Sequence, residues 1–516
     1  MVLPKKVTSI QVVTRTQFVR NALLNWTALS VGLFVPFFLS PFTVHHLGNL
    51  VYGVWILVIS SVSYFHLLDL GLRNAVTTFV SKSRTLGLHE ESRRVVSTAV
   101  WIRIGISALI LVLVSFLALW FPRLFSIPQE IVRDARLAIM LSAISLAVGL
   151  ASGVPAAVLG AVHRYDLLSG VTLLRTLFRA AGFVILLERG KSIVALAAWE
   201  LVSAVFMGLV YTALCARMCP ELRGALLRPE PGMIRKLWGY SAYAFLITIG
   251  GAIINYTDNG IVGLFLSPGA VTFYAISANL ILCSREVIST MSNMFVPVAS
   301  GFDAGGRTEQ LRQLLVRGTQ ASLLISLPIS IVLFVRGKTF IGLWMGPEYG
   351  VISGSLLQIL LLNQVLTIAN LTSSGIVYGM AKHRPLAAWA LFEAVTNLLL
   401  SVILVKRMGV YGVAWGTAIA GVICNLVFWP RYVSRLLDLS ARTYLWKAWG
   451  VAALAALPFA VACWYEEHYL QAKNLVTLFA QTFAILPIFL LTVVSFFRGR
   501  ATEHSLARTE AIFGTD

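Results

Sequence analysis

Hydrophobic stretches long enough to cross a bilayer follow one another from Asn21 to Phe497, about fourteen in all, and several carry arginines close to mid-span. A span needs roughly 20 mostly apolar residues, and in lipid only helices and closed barrels satisfy their own backbone hydrogen bonds. The stretches are continuous apolar runs and not ten-residue alternating ones, so the chain is expected to be all-α and polytopic. With 58% hydrophobic and 12% charged residues among 516, a soluble globule is excluded. A charge at mid-span costs on the order of 3 kcal/mol on insertion scales and usually faces a wet interior. The stranded arginines Arg175, Arg179 and Arg285 therefore point to a hydrated path, as in a transporter.

The spans run approximately 21–43, 51–72, 95–120, 137–161, 167–187 and 193–216, then 238–266, 271–298, 313–335, 353–379, 386–405 and 411–429. A further pair lies near 444–465 and 474–497. The expected organisation is a tail (1–20), a first six-helix bundle (21–216), a basic linker (217–237), a second six-helix bundle (238–430), an extra helix pair (431–497) and a C-terminal tail (498–516). In a soluble protein a net charge of +19 would suggest a nucleic-acid partner; here it is read loop by loop, and none is expected. Lys and Arg gather at Lys5, Lys6, Arg15 and Arg20, at Lys82, Arg84, Arg93 and Arg94, and through the linker at Arg217, Arg223, Arg228, Arg235 and Lys236. They gather again at Arg307, Arg312 and Arg317, at Lys382 and Arg384, at Arg431, Arg435, Arg442 and Lys447, and beyond Arg498. These alternate loops should be cytoplasmic, which with an even number of spans puts both termini there. The first apolar stretch begins after twenty residues and lacks a small-residue cleavage site, so it reads as a span and not a removable signal. The five cysteines have no metal or disulfide spacing and read as packing residues.

The halves read as one unit used twice. Gly160-Ala161-Val162-His163-Arg164 after the fourth span reappears as Gly379-Met380-Ala381-Lys382-His383-Arg384 after the tenth, and Gly48 to Tyr52 matches Gly269 to Tyr274, at an offset near 220 residues. Units of six spans point the same way, so they should be related by an axis along the membrane normal and enclose a central cavity. Pro36, Pro41, Pro155, Pro297 and Pro328 are expected to kink helices or mark their ends.

At 1.5 Å per residue from Leu167, Arg175 should lie roughly 12 Å and Arg179 roughly 18 Å deep. Their i, i+4 spacing places both guanidiniums on one helix face. Water or an anion would relieve their repulsion, and a phosphate suits the planar donor fork of Arg; snorkelling or pairing with an acidic residue on a neighbouring helix is the alternative. Arg285 sits mid-span beside Glu286, which points about 100° away. Asp258, Glu393, Glu200 and Glu286 are candidates for ion coupling, with structural ion pairing as the competing reading. On the repeat alignment Glu393 falls opposite Arg175. Asp69 and Arg73 at the end of the second span, with Arg164 and Arg384 in the repeated loops, are candidates for a cytoplasmic gate or for lipid headgroup contact, ordinary positive loops being the alternative. Arg103 should lie near enough to the cytoplasmic end of its span to snorkel. No phosphate-binding loop, zinc-protease pair, nucleophile elbow or kinase set is present, so neither an enzyme nor a cofactor is expected.

His46-Leu47-Gly48-Asn49-Leu50-Val51-Tyr52-Gly53-Val54-Trp55, followed by Leu67-Leu68-Asp69-Leu70-Gly71-Leu72, resembles the opening of the polysaccharide transporter family. These are the lipid-linked oligosaccharide and O-antigen flippases of the multidrug/oligosaccharidyl-lipid/polysaccharide (MOP) exporter superfamily. Leu343-Trp344-Met345-Gly346, Asn397 and Gly409-Val410-Tyr411-Gly412-Val413-Ala414-Trp415-Gly416-Thr417 resemble that family's second half. The resemblance implies two six-helix bundles facing each other in a V, with two extra helices behind. It implies alternating access that moves an undecaprenyl-pyrophosphate-linked glycan, an O-antigen or exopolysaccharide unit, to the outer leaflet of a bacterial inner membrane. Arg175, Arg179 and Arg285 would hold the pyrophosphate or acidic sugars, H+ or Na+ would drive transport, and a polymerase and glycosyltransferases would be neighbours. A lipid II flippase or a cation-coupled drug exporter of the same superfamily, or a non-transporting scaffold of a polysaccharide synthase, are the other readings.

Overall fold

The computed structural model describes residues 15–69, 71–222, 228–292, 294–382 and 384–512. Residues 1–14, 223–227 and 513–516 of the expected tails and linker, and His383 of the second repeated loop, lie outside the described residues. Among the described residues every regular element is a helix, as a lipid solvent demands.

Two compact units divide at Thr272 and Phe273. Unit 1 holds α1 (Arg15–Ser63), a 3-10 turn (Tyr64–Asp69), α2 (Leu72–Thr85), α3 (His89–Leu124), α4 (Gln129–Ala161), α5 (Tyr165–Glu188), α6 (Ile193–Met218), α7 (Pro231–Phe265) and the start of α8 (Pro268–Ser292). Unit 2 holds the rest of α8, α9 (Phe295–Ala304), α10 (Thr308–Met345), α11 (Pro347–Gly379), α12 (Arg384–Met408), α13 (Val410–Val422), α14 (Trp429–Leu436), α15 (Ala441–Tyr444), α16 (Val451–Tyr469) and α17 (Leu475–Ile512). One π-helical segment, Ile423–Phe428, joins α13 to α14, and another, Leu445–Gly450, joins α15 to α16.

Twelve helical runs among the described residues are long and apolar enough to cross a membrane. The first, Leu23–Thr85, contains two of the sequence spans, divided at Gly48 (φ 73°, ψ 165°), and α7 covers the seventh sequence span with 35 residues. The chain is thus an all-α, multi-pass membrane protein of about fourteen spans.

In two places the helices depart from the sequence spans. The second span does not run to residue 72: the α-helix stops at Ser63, a 3-10 turn follows, and α2 begins after Gly71 (φ 70°). The basic α2 buries Leu72, Ala75, Val76 and Val80 against α3, α4 and α7, a surface helix docked by its apolar stripe. The eighth span ends at Ser292, and Pro297 lies in the first turn of the short α9, where a missing N–H costs nothing.

In unit 1, α5 packs on α1 and α6, and α4 on α3 and α6. The motif around Gly48 explains part of this packing. A positive φ at Gly48 lets the chain kink between two spans, and five residues on a Cβ at Gly53 would overlap the carbonyl of Pro268. Thr272 Oγ1 donates to the Asn49 carbonyl at 2.7 Å in the same seam. In unit 2, α10 packs on α11 and α16, α12 on α13, and α16 on α17.

The two repeated loops fold alike. After α4, His163 N–H donates to the Gly160 carbonyl at 3.0 Å and Arg164 N–H to Leu159 at 3.1 Å; after α11, Ala381 N–H donates to Tyr378 at 3.0 Å and Lys382 N–H to Val377 at 3.1 Å. His163 (φ 57°) and Ala381 (φ 54°) take the same left-handed conformation. Both loops are thus helix C-caps of one kind. Counting twelve residues on from each left-handed residue reaches Arg175 in α5 and Glu393 in α12.

Gly53→Val should displace the Pro268 backbone and lower stability by about 1–3 kcal/mol or more. Gly170→Ala, in a helix with open space around the new methyl, should be neutral or stabilising by up to about 1 kcal/mol. Thermal unfolding of the detergent-solubilised chain checks both, and equal behaviour of the two variants would contradict the packing described.

Candidate functional site

Helix α5 puts Arg175 and Arg179 one turn apart against α1 and α6. A cavity of about 420 Å³ opens there, lined by Gly32, Val35, Pro36 and Leu39 of α1, by Thr172, Arg175, Thr176, Arg179 and Ala180 of α5, and by Glu200 of α6. The register of α5 on α6 is held by adjacent pairs. Trp199 Nε1 donates to the Phe178 carbonyl at 3.1 Å with the two rings stacked at 4.6 Å, and the next residues along, Arg179 and Glu200, form an ion pair. The Arg179 guanidinium also lies over the Phe183 ring at 4.9 Å, a cation–π contact.

The cavity's hydroxyls are already engaged: Thr172 donates to the Leu168 carbonyl at 2.9 Å and Thr176 to the Thr172 carbonyl at 3.1 Å. Its charged donors are the two guanidiniums. Arg175 is exposed in the cavity and, among the described residues, forms no salt bridge. Two Arg and one Glu leave the site with a formal charge of +1. Arginine keeps its proton at any physiological pH.

The other candidate residues are placed elsewhere. Arg285 (half-buried) and Glu286 (exposed) lie on α8 and Glu393 on α12, all in unit 2. Glu393 Oε1 accepts from Asn425 Nδ2 at 3.5 Å, and the same amide donates to Asn363 Oδ1 at 3.2 Å. Asp258 is 4% exposed on α7, between Thr257, which is 2.6 Å from the Tyr64 hydroxyl, and Asn259, which donates to Ser60 Oγ at 3.1 Å. Arg73 is exposed on α2. Arg164 caps α5 and grips Asp166 through two bonds of 2.9 and 3.0 Å; that hydrogen bonding holds its pKa above the ordinary value. Arg384 opens α12, and its side chain lies outside the described residues.

Arg103 corrects the sequence reading. It does not snorkel: it is 3% exposed, pairs with Asp69 at 2.5 Å and donates to the Leu150 carbonyl. The reason is the 3-10 turn, which brings Asp69 to the side of α3 and supplies a counter-charge inside the bundle.

A second buried cluster had no counterpart among the sequence candidates. Arg336 in α10 is fully buried, bonding Glu466 at 2.9 Å, Glu467 at 3.3 Å and Gln481 at 2.6 Å, while Thr339 donates to Glu467. It ties α10 to α16 and α17. Arg336 sits one residue beyond the apolar run that ended at 335, so hydropathy set it outside the membrane; the paired Glu466-Glu467 was the available signal. Arg336→Met alone should cost about 3–5 kcal/mol by leaving two carboxylates unpaired, read as a fall in the unfolding midpoint. Arg336→Met with Glu466→Leu and Glu467→Leu should recover most of it; no recovery would contradict the pairing.

No group of three or more His, Cys, Asp or Glu residues suited to a metal occurs among the described residues. The fold defines an all-helical, multi-pass membrane protein whose first unit holds a cavity lined by two arginines and a glutamate. The chain belongs to the polysaccharide biosynthesis protein family, whose sequence profile matches residues 51–354. It is 24% identical over 457 residues to the uncharacterized membrane protein EpsK of Bacillus subtilis, covering 86% of this chain and 88% of that protein. It is 25% identical over 243 residues to the probable low-salt glycan biosynthesis flippase Agl15 of Haloferax volcanii, covering 46% of this chain and 50% of that one. Among solved structures it shares its fold with the lipid II flippase MurJ in an inward closed conformation, at a TM-score of 0.69 and 14% identity over 94% of this chain and all of that one. A multidrug resistance MATE family transporter in its inward-facing conformation follows at 0.66 and 14%, over 81% and 94%.

Proposed function

We propose that the protein is a flippase that carries a polyprenyl-diphosphate-linked oligosaccharide, an O-antigen or exopolysaccharide unit, from the cytoplasmic to the outer leaflet of a bacterial inner membrane. Both termini are cytoplasmic in this reading, and transport proceeds by alternating access. The observation that carries it is the cationic cavity of unit 1, where Arg175 and Arg179 offer forked donors on one helix face. A diphosphate has oxygens enough to engage both forks, and it competes with Glu200 for Arg179. The polyprenyl tail stays in lipid. Membership of a polysaccharide biosynthesis family and similarity to a protein named as a glycan biosynthesis flippase support the same cargo class.

Glu200, paired with Arg179 at the cavity, is the coupling candidate that lies in the site itself, with H+ as its ion in this reading. Arg285, and Asp258, Glu286 and Glu393 as further coupling groups, with Na+ as the alternative ion, remain assignments of the same reading. So do gating roles for Asp69, Arg73, Arg164 and Arg384, and the company of a polymerase and glycosyltransferases.

The test is transbilayer movement of a fluorescent polyprenyl-diphosphate oligosaccharide in proteoliposomes. Wild type should transport, and Arg179→Ala should lose transport by about 100-fold or more while remaining folded. Glu200→Gln should retain transport but lose its response to an imposed pH gradient. Full transport by Arg179→Ala would remove the assignment, and an inactive wild type across several glycans and ion gradients would shift the reading to a drug exporter or a synthase scaffold.

A further inference from the structure

The turn that joins the twelfth span to the helix pair builds a second concave site, in unit 2. On one side of it, Trp429, Val433 and Leu437 are buried in the core of that unit, and on the other side Tyr444 and Ala448 are buried in the same core. The stripes left outside line a cavity of about 970 Å³, among them Leu426, Val427, Arg431, Arg442, Trp446 and Lys447. Both walls carry π-helical segments, Ile423–Phe428 and Leu445–Gly450. Such turns hold an extra residue and re-aim side chains, and they recur at functional sites.

The lining divides by chemistry. Leu426, Val427 and Trp446 form an apolar wall open to the outside, Trp446 being 62% exposed, and three cations, Arg431, Arg442 and Lys447, stand exposed beside it. Arg431 donates to its own helix at the Val427 carbonyl, 3.1 Å away. Among the described residues no carboxylate forms a salt bridge with any of the three. Cations left unpaired beside an exposed indole at the edge of a span match one kind of ligand: an amphiphile with an anionic head and an apolar body. Basic pockets between spans on the cytoplasmic side take acidic lipid headgroups in this way.

We infer that this cavity is a binding site for an anionic glycerophospholipid of the surrounding leaflet, its phosphate held by Arg431, Arg442 and Lys447 and its chains lying on Leu426, Val427 and Trp446. The bound lipid belongs to the membrane and is not the cargo, so the site stands whether or not unit 1 carries a glycan. Its occupancy fills the gap between two helices that meet at a short turn, and makes the seating of the helix pair dependent on acidic lipid.

The experiment titrates the purified full chain, in neutral detergent, with dioleoylphosphatidylglycerol and counts bound lipid by native mass spectrometry. Wild type should retain one molecule that dioleoylphosphatidylcholine does not replace, and inorganic pyrophosphate should not displace it. The combined variant Arg431→Gln, Arg442→Gln, Lys447→Gln should bind it on the order of 100-fold more weakly, a factor of about five for each cation. Arg307→Gln, Arg317→Gln, Lys382→Gln removes the same charge elsewhere and should bind as wild type does. Unchanged binding by the first variant, or an equal loss in the second, would overturn the site. Displacement by pyrophosphate would overturn the lipid as its occupant in favour of a soluble phosphate.

Discussion

A guanidinium cannot lose its proton to escape a low-dielectric surrounding, so each arginine inside this protein must be answered by a counter-charge, by water or by a ligand. Among the described residues, Arg103 is answered by Asp69, Arg179 by Glu200, and Arg336 by Glu466 and Glu467. Each pair also fixes the packing of helices, holding the 3-10 turn to α3, α5 to α6, and α10 to α16. Arg175 differs, since it stands exposed in a cavity one turn from Arg179 with no salt bridge among the described residues. Arg103 and Arg336 are buried with their partners, whereas Arg179 keeps its partner at the wall of the cavity that Arg175 lines.

The same contrast separates the two concave sites. In unit 1 the cations lie on a helix paired with two others and share their cavity with a carboxylate that can compete for them. In unit 2 the cations ring an exposed apolar wall at the turn between spans and, among the described residues, share it with no paired acid. A site that must bind and let go benefits from the internal competitor. One that holds a lipid in place does not.

Much of the fold was legible because hydropathy registers the solvent directly. Among the described residues the apolar stretches lie on helices, apart from the breaks after Ser63 and Ser292, and the repeated Gly160 and Gly379 loops share one capped geometry. The 3-10 break after Ser63 was not legible, because Phe65, Leu67 and Leu68 carry the apolar run through it and only Gly71 marks the change. Arg103 was misplaced for the same reason: a one-dimensional depth count places a residue along its helix but not toward a partner on another. Arg336 was overlooked because a single charge ended the apolar run. The lysine- and arginine-rich turn near 431–447 was read as topology alone, since the apolar face beside it appears only when two helices are set side by side. Arg175 and Arg179 were the favourable case, because i, i+4 spacing is a property of one helix and survives into the folded protein.

The central claim is that Arg175 and Arg179 together hold a diphosphate. Equilibrium binding of farnesyl diphosphate to the purified full chain, measured calorimetrically at several salt concentrations, tests it without requiring transport. Binding that weakens by at least on the order of 100-fold in Arg175→Gln, Arg179→Gln, with a shallower salt dependence, is the result the account requires. Equal affinity and equal salt dependence in wild type and variant would contradict it.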